Sequence, residues 1–168
     1  MKPHDEMAAF AKMLGRLDSW LTKAEAHAAD RKFDPAVLLQ ARLAPDQYPL
    51  VTQVQASCDV AKYSAAKLAG VEPPTHPDTE STFDELRTRI RSVVGYLETF
   101  RPEQFAGHEE RRCSHVWMRG KSMRGADYLL QVSQPQFFFH VAHAYAILRH
   151  NGVALGILDY LPPLSLQD

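Results

Sequence analysis

Six apolar side chains, Phe83, Leu86, Ile90, Val93, Leu97 and Phe100, recur at intervals of three, four, three, four and three residues. An α-helix turns once in 3.6 residues, so this spacing lays all six along one seam that another helix must cover. A strand cannot use the pattern, because its neighbouring residues face opposite ways. Thr82 with Glu85 three residues on forms a capping box at the start, and Pro102 and Gly107 bound the far side.

Three further segments read the same way. Phe10, Met13, Leu14, Leu17, Trp20, Leu21, Ala24 and Ala28 put a continuous stripe on a helix over roughly 5–29. Asp34-Pro35 then starts a short helix, Ala36 to Ala41, that ends near Arg42-Leu43-Ala44-Pro45. A second long helix begins near Asp46 or Pro49, where Asp46 is expected to cap it. It carries Leu50, Val54, Cys58, Ala61, Ala65 and Leu68 to a C-cap at Gly70. Pro73, Pro74 and Pro77 make the next stretch an extended connection. Residues 108–124 mix charged and β-prone types around Arg119-Gly120-Lys121, which fits a short β-hairpin or an irregular excursion. The last helix runs from about Ala126 to His150, with Asn151-Gly152 as its stop and Pro135 expected to kink or interrupt it. Four amphipathic helices bury their stripes most simply against one another. The expected fold is therefore all-α, a four-helix bundle in a single domain spanning 1–168.

The charge balance narrows the partners. Net charge is -1 with both signs interspersed, which gives no electrostatic reason for nucleic acid or an anionic membrane. Arg111, Arg112, Arg119, Lys121 and Arg124 gather in the hairpin region and read as a solvated surface. No apolar run is long enough to span a bilayer. Met1-Lys2-Pro3-His4-Asp5-Glu6 carries charge where a secretory signal has its apolar core, so a cytoplasmic setting is expected. Cys58 and Cys113 form no CxxC pair, and Cys58 lies in a core stripe.

Chemistry-bearing residues concentrate on the last helix. His140, His143 and His150 share a face, His143 and His150 lying roughly 60° and 80° from His140 on the wheel. Only His140 and His143, about 4.5 Å apart along the axis, can meet at one ion, since His150 is about 15 Å away. Phe138, Val141, Tyr145 and Leu148 fall on another arc, taken as the core seam, with His140 at its border and Phe139 and Ile147 among the outer histidines. His140 then has three readings: a hydrogen-bonded imidazole at the core edge, a metal ligand, or a general base. The start of the second long helix adds Asp46, Gln53, Gln55 and Asp59, with Asp59 and Lys62 placed to pair at i, i+3. The candidate pocket is accordingly His140, His143, Asp46, Gln53, Gln55, Asp59, Tyr145 and His150, with His140 and His143 as its metal candidates. No GxSxG, P-loop, GxGxxG or HExxH occurs.

Several strings, among them Arg42-Leu43-Ala44-Pro45-Asp46-Gln47-Tyr48-Pro49-Leu50, Gly125-Ala126-Asp127-Tyr128-Leu129-Leu130 and Ala144-Tyr145-Ala146-Ile147-Leu148-Arg149-His150-Asn151-Gly152-Val153, resemble one bacterial family. It is a family of uncharacterised proteins, a domain of unknown function within the DinB/YfiT-like superfamily, and the resemblance covers nearly the whole chain. It implies a DinB-like four-helix bundle, often a homodimer, with a long connection after the second helix. It also implies relatives that are metal-dependent, some of them hydrolases or thiol transferases. Their site takes one histidine from helix two and an HxxxH pair from the last helix. His150 resembles the second histidine of that pair. Ala146 stands at the first, and helix two offers Gln53 and Gln55 in place of a histidine. The expectation is a polar pocket that binds a small molecule without a cofactor. The alternative is a divalent ion, zinc, nickel or iron, serving a hydrolase or thiol transferase.

Overall fold

The computed structural model describes residues 2–162 and 164. Four long helices, α1 (Pro3–Arg31), α3 (Leu50–Ala69), α4 (Phe83–Glu98) and α6 (Gln134–His150), form the bundle. In it α3 packs on α6 and α4, and α1 packs on α4, α3 and α6. The stripes read from the sequence on α1, α3 and α4 are all buried, from Phe10 to Ala28, Leu50 to Leu68 and Phe83 to Phe100. Thr82 and Glu85 close the capping box at α4. The short α2 (Ala36–Leu39) follows Asp34, whose carboxylate accepts the Ala36 N–H at 2.9 Å.

Two local expectations are corrected. Asp46 caps nothing: α3 starts at Leu50 behind extended Pro49 with no side-chain cap, and Asp46 is exposed in the preceding turn. Pro49 holds the cap position itself, three residues beyond Asp46, so the carboxylate is not at the position from which a side chain reaches the amides of the first turn. On α6 the core face is Phe137, His140, Val141, Ala144, Ile147 and Leu148, while Phe138 and Tyr145 are only half buried. Phe137 wins the interior because it stacks on Phe10 of α1, centroids 4.0 Å apart. Pro135 interrupts the last helix as expected: it stands at the start of α6, and in the turn before it α5 (Gly125–Tyr128) runs into a π-helical turn over Leu129–Ser133, where a proline without an N–H breaks the regular ladder. Such a turn inserts one extra residue into the helical path.

The excursion before the last helix is a two-residue antiparallel ladder, β1 (Arg112–Cys113) with β2 (Met123–Arg124). It is seated tightly at Gly125, where a methyl group would collide with the His108 carbonyl oxygen. A last short helix, α7 (Ile157–Tyr160), had no sequence signal. It is pinned to α1 by the Trp20 indole donating to the Asp159 carbonyl at 3.0 Å and by Trp20 stacking on Tyr160. No helix among the described residues is long and apolar enough to cross a membrane.

Candidate functional site

Helix α3 presents its polar residues in two directions. Gln53 and Gln55 are two positions apart, about 200° on the wheel, so they face different neighbours. Gln53 turns to α6. Its amide nitrogen donates to the Tyr48 carbonyl at 3.3 Å, which leaves its oxygen facing His140 Nδ1 at 2.8 Å. An amide oxygen accepts only, so His140 carries its proton on Nδ1 and its lone pair on Nε2. His140 is 7% exposed. Burial, and secondarily the nearby His143, pushes its pKa down to about 4, so the ring is neutral at physiological pH.

His143 lies one turn further on. Its Nδ1–H donates to the Phe139 carbonyl at 2.7 Å, and its Nε2 therefore accepts from the Gln47 amide nitrogen at 3.3 Å. That orientation leaves Gln47 Oε1 buried with no hydrogen-bond partner. Two aromatic rings frame His140. Tyr48 lies nearly parallel to it, centroids 6.4 Å apart, and Phe139 stands edge-on at 5.3 Å. Both rings are more than half exposed. Gln47 and Tyr48 were legible only as part of the Tyr48-Pro49 helix start, because nothing local shows that they reach α6.

Gln55 turns the other way, into a cluster that the sequence reading missed. Arg89 on α4, its side chain 1% exposed, pairs with Asp59 at 2.8 Å, Asp78 at 2.8 Å and Glu80 at 3.0 Å. Lys62 pairs with Asp59 at 2.8 Å, the expected i, i+3 contact, and reaches His76 Nδ1 at 3.3 Å. Gln55 donates to Glu80 at 2.9 Å, and His76 meets Ser92 at 2.9 Å. Burial alone would raise Glu80, but hydrogen bonds from Gln55, the backbone and Arg89 hold it below the usual carboxylate range. Burial opposes the charge on Arg89, and Glu80 and Asp59 more than restore it. Cys58, beside this cluster, is fully buried, and its thiol is pushed up to about 12, which makes it a packing group. A cleft of about 420 Å3 lined by His76, Glu80, Arg89 and Ser92, among others, opens here. The sequence cue was available: acidic residues on a stiff proline-rich connection need a cation, and Arg89 lies on the nearest helix.

The eight candidate residues therefore separate. His140, His143 and Gln53 come together. Gln55 and Asp59 belong to the Arg89 cluster. Tyr145 packs on Trp20 and Tyr160 at the α1–α7 contact. Asp46 and His150 are exposed, His150 at the far end of α6.

A metal of the superfamily type does not fit these residues. His140 spends Nδ1 on Gln53, amide groups stand where helix two would supply a histidine, and Ala146 has no donor. Among the described residues no three His, Cys, Asp or Glu side chains are grouped to hold an ion.

The comparisons agree with this architecture. The chain is similar, at 42% identity, to a DinB family member protein from Shewanella denitrificans known from a crystal structure. The match covers 96% of this chain and 92% of that one, with a TM-score of 0.93. No curated protein matches it. The family model described as a domain of unknown function, DUF1993, matches residues 4–161. With a DinB-like bundle and a family match over nearly its entire length, the chain belongs to the DUF1993 family.

Proposed function

We propose that this protein binds a small molecule, without a metal, at the rim formed by His140, His143, Gln47 and Tyr48. One observation carries the reading. His140 is held neutral and in a single tautomer by Gln53, with the Nε2 lone pair bonded to none of the described residues. An acceptor held in one orientation at the edge of the core is ready for a donor that a ligand brings. The rim is an open aromatic lip, with Tyr48 and Phe139 both more than half exposed.

The test is a fragment screen on the full chain labelled with 15N-histidine, run in EDTA and followed by the His140 ring resonances. Fragments that shift them, and no longer bind after His140→Phe, support the reading. Binding that appears only once zinc, nickel or iron is added would support the metal-dependent hydrolase or transferase instead. A screen in which nothing moves His140 removes a ligand role from the rim.

The same reading includes a homodimer in a reducing compartment such as the cytoplasm. Exposed Val37 and Leu43 on the approach to α3 support the dimer, and the free thiols Cys58 and Cys113 support the compartment. Light scattering on the purified chain gives the mass that decides the first point.

A further inference from the structure

The connection from α3 to α4 is fastened to the bundle in two places, and the two differ in what a proton does to them. We propose that the first is an acid-opened latch: protonation of His76 frees residues 72–76 from α3 and α4, while Arg89 keeps hold of Asp78 and Glu80, so the cleft beside them loses part of its wall.

The fastening is uneven along the chain. Val71 N–H donates to the Ala66 carbonyl at 2.9 Å, and after it none of Glu72, Pro73, Pro74 and Thr75 makes a hydrogen bond or ion pair among the described residues. His76 is the next attachment, set between Lys62 of α3 at 3.3 Å and Ser92 of α4 at 2.9 Å. Beyond it Arg89 takes the Pro77 carbonyl at 3.3 Å, Asp78 at 2.8 Å and Glu80 at 3.0 Å. The cleft of about 420 Å3 is walled by His76 and Glu80 from the connection and by Arg89 and Ser92 from α4.

The direction of each bond decides the response. An ammonium only donates, so His76 Nδ1 accepts from Lys62 and its Nε2–H donates to Ser92 Oγ. A second proton can go only to Nδ1, where it removes the acceptor and sets an imidazolium against an ammonium. Lys62 is fixed, its side chain 1% exposed and paired with Asp59 at 2.8 Å. His76 is half-buried on an otherwise exposed stretch, and it is the partner free to leave. Its bond to Ser92 survives the proton but lies at the surface, where water replaces it at little cost.

The charges around the ring set the sign. Burial is the largest influence and holds the pKa below the usual 6.5; Lys62 of α3 and Arg89 of α4 push the same way, while Asp59 of α3 and Glu80 of the connection oppose them. The latch is therefore closed above pH 6.5 and opens as pH falls below it. Glu80, held below the usual carboxylate range, keeps its charge on Arg89 through that window.

Backbone 15N–1H NOE values for Thr75, His76 and Glu80, read with the His76 ring resonances from about pH 7.5 down to about pH 5, test this on the full chain. The Thr75 and His76 values should fall toward those of a free chain end as the ring takes up its proton, with Glu80 unchanged. His76→Asn keeps an acceptor for Lys62 that gains no proton, and Lys62→Met removes the opposing ammonium. Each should abolish the pH dependence, and Lys62→Met should also raise the pH at which the ring titrates. If Lys62→Met does not fold, His76→Asn decides alone. A ring still neutral at the acid end, a connection that stays rigid once the ring is protonated, loosening that persists in His76→Asn, or release of Glu80 together with His76 overturns the latch.

Discussion

Helix α3 builds two buried polar clusters of opposite character. Around Arg89 opposite charges are brought together: one guanidinium holds three carboxylates, a lysine shares one of them, and a glutamine closes another. Around His140 the groups are neutral, and the Gln47 amide oxygen is buried without a partner. The first cluster ties a helix-free connection to the bundle. The second joins α6 to α3 through the bond from His140 to Gln53. The difference is one of charge: ion pairs hold the first cluster together, and single hydrogen bonds between neutral groups hold the second.

Removing Arg89 should have the largest effect. Arg89→Met strands Asp59, Glu80 and Asp78 beside the core and is expected to cost about 3–5 kcal/mol. Thermal unfolding by circular dichroism should then show a midpoint roughly 10 °C lower. A loss below about 1 kcal/mol would erase the contrast, because the cluster would then hold nothing together.

Acid should separate the two clusters by pH window. His140 has a folded pKa below that of the free side chain, so the unfolded chain binds the extra proton first. Its contribution is complete above pH 6.5 and is lost as pH falls from there toward about 4, at most about 3 kcal/mol. Glu80 is also depressed, but as a carboxylate. Its contribution is present above its unfolded value of 4.5 and is lost only below it. Urea unfolding at stepped pH should therefore show an early decline that His140→Phe reduces, with His76 and His115, also held low by burial, supplying the rest, and a later one that it leaves intact.

At fixed neutral pH, His140→Phe leaves the buried Gln53 oxygen without a donor and should cost about 1–3 kcal/mol, less than the loss at Arg89, while abolishing fragment binding. That ratio of small stability loss to complete functional loss is the signature of the open cluster. At the bottom of the scale, Arg124→Ala on the hairpin should produce no resolvable change in the melting midpoint, although it breaks contacts with Glu110 and Asp127. Those pairs are in water, where screening and side-chain entropy cancel most of the attraction.

The fold was legible wherever one side of a helix was polar. On α1, α3 and α4 the apolar residues stand against charged neighbours, and the stripes were read to the residue. On α6 the run Phe137-Phe138-Phe139 leaves no polar side for a wheel to find. Which ring goes inside was decided by Phe10, more than 120 residues away in the chain. The site was half legible for the same reason. His140 and Gln53 could be singled out by type, but their bond joins residues 87 positions apart. Spacing on one helix carries no information about it. Arg89 was passed over because, alone on α4, it resembles any solvated arginine.

The π turn at Leu129–Ser133 has a further implication. Upstream of it, Gly125 is wedged against His108 and the Tyr128 hydroxyl meets His115 at 2.8 Å. Downstream, Phe137 is locked to α1 and His140 to α3. Two anchored ends cannot both be met by a regular spiral of arbitrary length, and the surplus residue works as a vernier that brings them into phase. A chain one residue shorter in this turn would be about 100° out of step. It would have to surrender either the hairpin's seat or the imidazole's orientation, so the geometry of the rim is set in part by a turn that never touches it.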